Sequence, residues 1–594
     1  MKVKKIFFVI LSAVVFALML AVLELNKNTV WGFVLLLCVT AGFYILHHFL
    51  VRRRNKWYLK LCVWLGWITL FTGTLFLTWP PVQAVPAVSV NNPEKTEIVT
   101  LSQGEVQGVY NADKSVEVFA GIPYAKPPVG ELRWKEPQDP EPWDGVLLAD
   151  HFAPMGMQPR NLPIYYSLAQ IIGYHDYKIS LDDNYTEPVS EDSLYLNIRK
   201  PAGELKDAPV LVYIHGGSLQ TGQPWYADYS GEGLAKEGVI VVNMGYRLGI
   251  FGYLASEELA AESPNGTTGN YGMLDQIKAL EWVRDNIAAF GGDPDNVTLA
   301  GESAGAASAS ALCTSPLAKG LFRRVILESS TTASVKPPHS FRSLDEALAS
   351  GKETMKKYGC STIEEMRGIS ADQLVGEADI HHHMTVDGYA LTETPYESYK
   401  KGIHNEEMIL HGYNEEESAA FILFDHANMK NYEQKIRGYF GEYADELLAL
   451  YPADDDKEAD EYWAEIYGAV FFDYPHYCLN RLAVENGIPV YEYLFAKTNG
   501  RIGNWHSGEE VYCYGNIPDD STLYDSRDRE LSAQMLSYWK NFAANGDPNA
   551  NGLPEWKENS RSDTVMYFGD TTEMISEKEH ALFAVLDKFD GWKQ

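Results

Sequence analysis

The tract Asn296-Val-Thr-Leu-Ala-Gly-Glu-Ser-Ala-Gly-Ala-Ala-Ser308 leaves few options for the chain around it. Val297, Thr298 and Leu299 are apolar and β-prone, whereas Ala304 to Ala309 are small residues suited to start a helix laid closely on a sheet. A strand, a sharp turn and a helix therefore follow one another directly, with Ser303 at the tip. The spacing Gly301-x-Ser303-x-Gly305 removes Cβ atoms two positions either side of the serine, where strand and helix crowd the turn. Such a turn lifts a hydroxyl clear of the sheet and sets helix N-terminal N–H groups beside it. Gly-x-Ser-x-Gly alone occurs in many loops; the flanking strand and helix make it informative here.

The neighbouring sequence predicts the sheet this turn needs. Val210-Leu-Val-Tyr-Ile-His215 and Val239-Ile-Val-Val-Asn243 are continuous apolar runs, the pattern of strands buried on both faces. Leu274–Phe290 places Leu274, Ile277, Leu280, Val283 and Ile287 at helical spacing, and Val325–Leu327 is a further strand. Ahead of these, Ile98–Leu101, Glu105–Tyr110 and Glu117–Ala120 read as strands. Alternating strands and helices predict an α/β fold with a large, mostly parallel twisted sheet flanked by helices. Residues 151–190 lack clear periodicity and are expected to form an insertion over the sheet. The acidic run Asp454–Glu461 lacks the glycine of a calcium loop and reads as a solvated helix start.

Three uncharged apolar segments precede this domain: Ile6–Leu23, Val30–Val51 and Leu61–Trp79. Each approaches the ~20 residues that cross a bilayer, and a signal peptide would account for only one of them. Three transmembrane helices over residues 1–79 are expected, then a linker over 80–96 and a folded domain over 97–594. Lys2, Lys4 and Lys5 precede the first segment, and Arg52-Arg-Arg-Asn-Lys56 separates the second from the third. Positive charge on those two sides puts the folded domain on the extracytoplasmic face of a multi-pass cell-membrane protein. Cleavage after Val82-Gln-Ala84 would instead release it.

The whole chain carries −32, although residues 1–80 hold nine basic side chains and one acidic one. A domain this acidic argues against a nucleic-acid partner. The six cysteines show no CxxC pair or metal-ligand spacing; those of the folded domain read as buried free thiols. Adjacent His381, His382 and His383 cannot all face one metal from a strand. No metal or organic cofactor is expected.

A serine hydroxyl needs a base to take its proton, an acid to orient that base, and N–H donors for the developing oxyanion. Several blocks bear on which residues supply them: Phe119–Trp134, Glu191-Asp-Ser-Leu-Tyr-Leu-Asn197, His215-Gly-Gly217, Tyr246-Arg-Leu-Gly-Ile-Phe-Gly252 and Gly269–Ser308, then Val386-Asp-Gly388, Gly412–Phe421, His506–Gly515 and Gly546-Asp-Pro-Asn549. Together they resemble the type B carboxylesterases, the α/β-hydrolase family that includes cholinesterases and the non-catalytic neuroligins. The resemblance spans roughly residues 97–590 and leaves out the N-terminal region.

That resemblance implies a triad of Ser303 as nucleophile, His506 as base and Glu417 as acid. Glu417 stands five residues after Gly412 and four before Phe421, as the family's acid does; Glu415 and Glu416 are its loop neighbours. It further implies an oxyanion hole from the N–H groups of Gly216, Gly217 and Ala304. Ser218 replaces the third glycine of the family's common form and can narrow that hole. Glu302 matches a family acid near the substrate. Ser193 stands where many relatives carry cysteine, and no choline-site tryptophan is matched in residues 151–190. The expectation is a membrane-anchored serine carboxylic-ester hydrolase acting on a small-molecule ester through an acyl-enzyme. Two rivals are a non-catalytic adhesion or scaffold protein and a hydrolase of another acyl bond, amide or carbamate. Adhesion relatives typically lose a triad member, whereas all three are present here.

Overall fold

The computed structural model describes residues 2–51, 56–82, 85, 87–88, 93–160, 162–172, 186–375, 382–423, 425–498, 504–519, 521–559, 564–576 and 581–592. Arg52–Arg54 of the loop used for orientation, Gln83 and Ala84 of the cleavage site, and His381 lie outside them. The chain forms two compact units, Met1–Val85 with Arg160–Pro188, and Pro86–Pro159 with Val189–Gln594.

The first unit holds α1 (Lys2–Leu25), α2 (Val30–Leu46, continued by a π-turn, His47–Val51) and α3 (Trp57–Leu77). Ile6–Leu25, Val30–Phe49 and Trp57–Leu77 are each long and apolar enough to cross a membrane. The third begins earlier than its uncharged run and includes Lys60. Leu23, Leu36, Phe43 and Trp67 form the buried centre, with the Phe43 and Trp67 rings stacked 4.2 Å apart. Asn28 joins the α1–α2 turn to the end of α3, donating to Leu75 O at 2.8 Å and Thr78 Oγ1 at 2.9 Å. A fourth helix, α4 (Pro163–Ile172), belongs to this unit and packs against α1. The described residues of 160–188 thus group with the N-terminal helices; residues 161 and 173–185 of the expected 151–190 insertion lie outside the described residues. Leu162–Ile172 carries no charge, so it joins an apolar bundle.

Among the described residues, the second unit is built on a 13-stranded sheet. Its leading strands are β1 (Lys95–Thr100), β2 (Glu105–Tyr110), β3 (Val116–Pro123) and β4 (Val146–Leu148). A separate pair, β5 (Met155–Gly156) and β6 (Val189–Ser190), brackets the 160–188 excursion. Then come β7 (Tyr195–Pro201), β8 (Ala208–Ile214), β9 (Ile240–Met244), β10 (Gly292–Glu302) and β11 (Arg324–Glu328). A second small pair, β12 (Phe341–Arg342) and β13 (Met384–Thr385), precedes β14 (Met408–Asn414), β15 (Val490–Phe495), β16 (Thr564–Phe568) and β17 (Thr572–Ser576). The sheet order is β1-β2-β3-β7-β9-β8-β10-β11-β14-β15-β16-β17, with β4 beside β2. From β9 to β16 every neighbouring pair is parallel, and the antiparallel pairs lie at the two margins.

Ile214, Val242, Leu299 and Leu327 are wholly buried, as continuous apolar strands between helical layers must be. Helix α5 (Tyr271–Asn286) buries Met273, Leu274, Ile277, Leu280 and Val283 in one core cluster, and α6 (Ala304–Leu312) is buried along its whole length. Asp455, within the acidic run, caps α7 (Asp456–Gly468) through the N–H groups of Lys457 and Glu458. A π-turn, Ala469–Asp473, joins α7 to α8 (Tyr474–Asn486). The described cysteines are all free thiols; Cys313, Cys478 and Cys513 are buried.

Candidate active site

Parallel strands deliver their carboxyl ends to one edge of the sheet, where α/β folds gather functional side chains. Gly301 of β10 pairs with Ile214 of β8 and Leu327 of β11, and Glu328 pairs with Gly412 of β14. Asn414 pairs in turn with Phe495 of β15. The residues that follow these ends are His215-Gly216-Gly217, Ser303, Ser329, Glu417 and, past β15, His506.

Ser303 sits between β10 and α6 at φ 53° and ψ −124°, a backbone conformation that L-residues rarely adopt. Its own N–H is spent on Glu328 O at 2.9 Å. The flanking glycines have a steric origin. A Cβ on Gly301 would lie 2.5 Å from the Gly305 carbonyl carbon, and one on Gly305 would lie 2.0 Å from Ile214 O. The elbow therefore closes only because both lack side chains. Helix α6 begins at Ala304, whose early N–H groups have no partner within the helix.

Gly216 packs directly beneath this turn: a Cβ there would lie 2.7 Å from Glu302 Oε2 and 3.0 Å from Ser303 Cβ. The next residues curl back, with Gly217 O accepting from the N–H groups of Gln220 and Thr221, both at 2.9 Å. Ser218 takes φ 57°, so the residue that replaces a third glycine occupies a left-handed conformation. His215 is buried, stacks on Tyr246 at 4.5 Å and has its Nδ1 2.9 Å from Gly216 O. Burial pushes its imidazole down to about 4, so it stays neutral.

His506 Nδ1 lies 2.6 Å from Glu417 Oε2. Glu417 is 1% exposed and Glu415 and Glu416 are exposed, which separates the three carboxylates the sequence places side by side. Glu417 Oε1 accepts the Asn414 N–H at 2.9 Å, and Glu416 bridges to Trp505, so the two loops are stitched together. On the other edge of the imidazole, Nε2 is 3.2 Å from Glu302 Oε1. Burial alone would lower the His506 pKa; Glu302 and Glu417 overcome it and lift His506 to about 9. Burial raises Glu302, with the positive imidazole opposing.

Several residues without a predicted role complete the site. Ser507 Oγ donates to Glu302 Oε1 at 2.6 Å. Glu509 accepts from Ser329 Oγ at 2.8 Å, and burial beside Glu417 and Glu302 raises it to about 7. Glu328 accepts from Trp539 Nε1 at 2.7 Å and is raised to about 8 by burial and Glu509. The His506 ring is flanked by Phe421 at 5.0 Å and Phe472 at 4.9 Å. Phe472 lies in the π-turn between α7 and α8, whose Phe471 carbonyl is 3.3 Å from His339 Nε2. Because a carbonyl only accepts, Nε2 carries the proton and Nδ1 accepts from Ser340 Oγ at 3.0 Å. Glu509 had a signal in the His506-x-x-Glu509 spacing; His339 had none, because the π-turn it bonds lies more than a hundred residues away in sequence. Among the described residues no group of three His, Cys, Asp or Glu could hold a metal ion.

Comparison with known proteins matches this architecture. The profile of the Carboxylesterase family covers residues 95–583. The fumonisin B1 esterase of Sphingopyxis macrogoltabida is 32% identical, with 85% of this chain and 93% of that protein aligned. Carboxylesterase 1C of Rattus norvegicus is 31% identical over 84% of this chain and 94% of its own length. Among solved structures, PNB esterase superposes with a TM-score of 0.69 at 27% identity, covering 83% of this chain and 99% of the esterase. With the serine elbow, the strand order and the matched length in agreement, this chain belongs to the carboxylesterase family of α/β hydrolases and is a carboxylic-ester hydrolase.

Proposed function

We propose that Ser303, His506 and Glu417 act as nucleophile, base and orienting acid in a two-step hydrolysis of a small-molecule ester. The observation that carries this is the 2.6 Å contact between His506 Nδ1 and the buried Glu417 carboxylate. With Nδ1–H donated to Glu417, Nε2 is the free base of the neutral imidazole. Ser303 Oγ attacks the ester carbonyl as Nε2 takes its proton. The N–H groups of Gly216, Gly217 and Ala304 receive the oxyanion. The alcohol leaves with the proton from Nε2. Water then attacks the acyl-enzyme, giving its proton to Nε2, and Ser303 regains one as the carboxylic acid departs. Glu302 and Glu417 stabilise the imidazolium formed in both steps. Every step is carried by protein groups.

The N-terminal helices α1 to α3 are proposed to span a cell membrane and to hold the hydrolase domain, residues 97–594, on its extracytoplasmic side through the 80–96 linker. The lysine and arginine distribution around the three spans supports that orientation.

The test is hydrolysis of short-chain aryl esters by the full-length protein in detergent, against Ser303→Ala. Loss of about 10⁴-fold or more in kcat/KM is expected, and a fluorophosphonate probe should label Ser303 in the wild type alone. Turnover that survives in Ser303→Ala would remove the nucleophile assignment. Absence of turnover in a folded wild type would favour the scaffold class.

A further inference from the structure

Helix α4 lies inside the hydrolase polypeptide, between β5 and β6, yet it packs against α1. From Ile6 to Leu23 α1 carries no charged residue, so a helix laid on its flank lies at bilayer depth when α1 spans the membrane. The segment Leu162-Pro-Ile-Tyr-Tyr-Ser-Leu-Ala-Gln-Ile-Ile172 carries no charge either, while Arg160 precedes it and His175-Asp-Tyr-Lys178 follows it. Ten helical residues extend about 15 Å, half of the ~30 Å hydrocarbon core, so α4 is too short to cross.

Its side chains divide by face. Pro163 and Ser167 are buried within the unit, while Leu162, Tyr165 and Leu168 are 58%, 60% and 42% exposed. These three stand three residues apart and share one face. Large apolar groups in a row, with a tyrosine among them, suit the boundary between headgroups and acyl chains. A separate contact fixes the return of this excursion. The Thr186 N–H donates to Pro81 O at 2.9 Å, and Thr186 bridges to Val82. Pro81 stands just past Leu77, the last residue of α3, so the excursion closes where the third span ends.

We propose that α4, with Leu162 at its entry, is an interfacial membrane helix, so that the hydrolase chain enters the lipid a second time, with Leu162, Tyr165 and Leu168 facing acyl chains. The proposal rests on α1 to α3 spanning the bilayer. It gives the three helices a role beyond tethering, since they provide a wall on which a segment of the hydrolase is seated.

The experiment uses the full chain in nanodiscs of phosphatidylethanolamine and phosphatidylglycerol, with Cys38, Cys62 and Cys360 replaced by serine. A spin label is placed at Leu168→Cys, and in a second variant at Leu162→Cys. Leu37→Cys in α2 is the lipid reference and Lys319→Cys, exposed on the hydrolase, is the aqueous one. Aryl-ester turnover identifies folded variants. Accessibility to oxygen severalfold greater than to a water-soluble nickel chelate, as at position 37, is expected at positions 168 and 162. If both behave like position 319 while 37 reports lipid, the interfacial helix is refuted and the spans stand. If 37 also reports water, both ideas fall together.

Discussion

Glu302 stands on the side of His506 opposite Glu417, and Glu302→Gln isolates what that second carboxylate does. The substitution keeps shape and an acceptor oxygen for Ser507 but removes a negative charge 3.2 Å from Nε2. Coulomb attraction at that distance is about 1.3 kcal/mol with the permittivity of water and about 5 kcal/mol at an effective value of 20. One pKa unit corresponds to about 1.4 kcal/mol. Burial raises Glu302 itself while the positive imidazole opposes, so desolvation offsets part of the attraction and the lower figure serves as a floor. His506 stands at about 9 in the wild type, and the base form lies above that value. Activity should therefore climb with pH through neutrality, with the midpoint of kcat/KM near 9. In Glu302→Gln that midpoint should move down by about one unit or more. The plateau should fall as well, because the same charge stabilises the imidazolium formed during attack. The assay is the pH dependence of kcat/KM for a short-chain aryl ester, with circular dichroism across the range to show that both proteins stay folded. A lower plateau with an unmoved midpoint would refute the electrostatic coupling and leave Glu302 as a packing residue under the elbow.

Other outcomes follow from the same geometry. Glu417→Gln should cost about 10⁴-fold in kcat, as loss of the orienting acid does in such triads, whereas Glu415→Gln should change little; equal effects would mean the acid is misassigned. His506, Glu509 and Glu328 are all raised in the folded state, to about 9, 7 and 8, so each adds stability that is present at low pH and lost as pH rises through its folded value. The thermal midpoint should accordingly fall from about pH 4.5, the ordinary value of the two carboxyls, to about 9, with His506 contributing only above about 6.5, while activity rises; Glu328→Gln should flatten that fall between about 4.5 and 8 in differential scanning calorimetry. His339→Ala releases the π-turn that holds Phe472 against His506 and should lower kcat about ten- to a hundredfold; His339→Gln, which keeps a donor, should recover part of it, and identical kinetics in all three would show that the contact has no bearing on the base. Gly305→Ala places a methyl 2.0 Å from Ile214 O and should cost about 3 kcal/mol or prevent folding; a wild-type unfolding midpoint would overturn the steric account of the elbow.

What could be read in advance divides by the distance over which each residue acts. The elbow is local: Val297–Leu299, Ser303 and Ala304–Ala309 state strand, tip and helix within one short stretch, and β10 and α6 form there. Strands β8, β9 and β11 were legible for the same reason, because a strand buried on both faces needs an unbroken apolar run. The partnership of His506 with Glu417 is not local, and composition or periodicity could not choose among three adjacent glutamates. The resemblance singled out Glu417; in the fold, burial separates it from Glu415 and Glu416. His339 and Phe472 had no counterpart in any motif. They meet because a π-turn between α7 and α8 frees a carbonyl that a histidine more than a hundred residues earlier satisfies.

Residues 151–190 illustrate a different limit. Leu162–Ile172 is uncharged but only about half the length of a membrane span, and apolar residues occupy more than one of its faces. Neither a spanning pattern nor a one-faced amphipathic pattern can emerge from such a stretch. Its placement depends on α1, more than a hundred residues away and outside the hydrolase domain. A segment that serves one unit while being encoded inside the other is invisible to any reading that assigns contiguous residues to contiguous bodies. The same topology explains why β5 and β6 are so short: each needs only two residues to fasten together the ends of an excursion whose packing lies elsewhere.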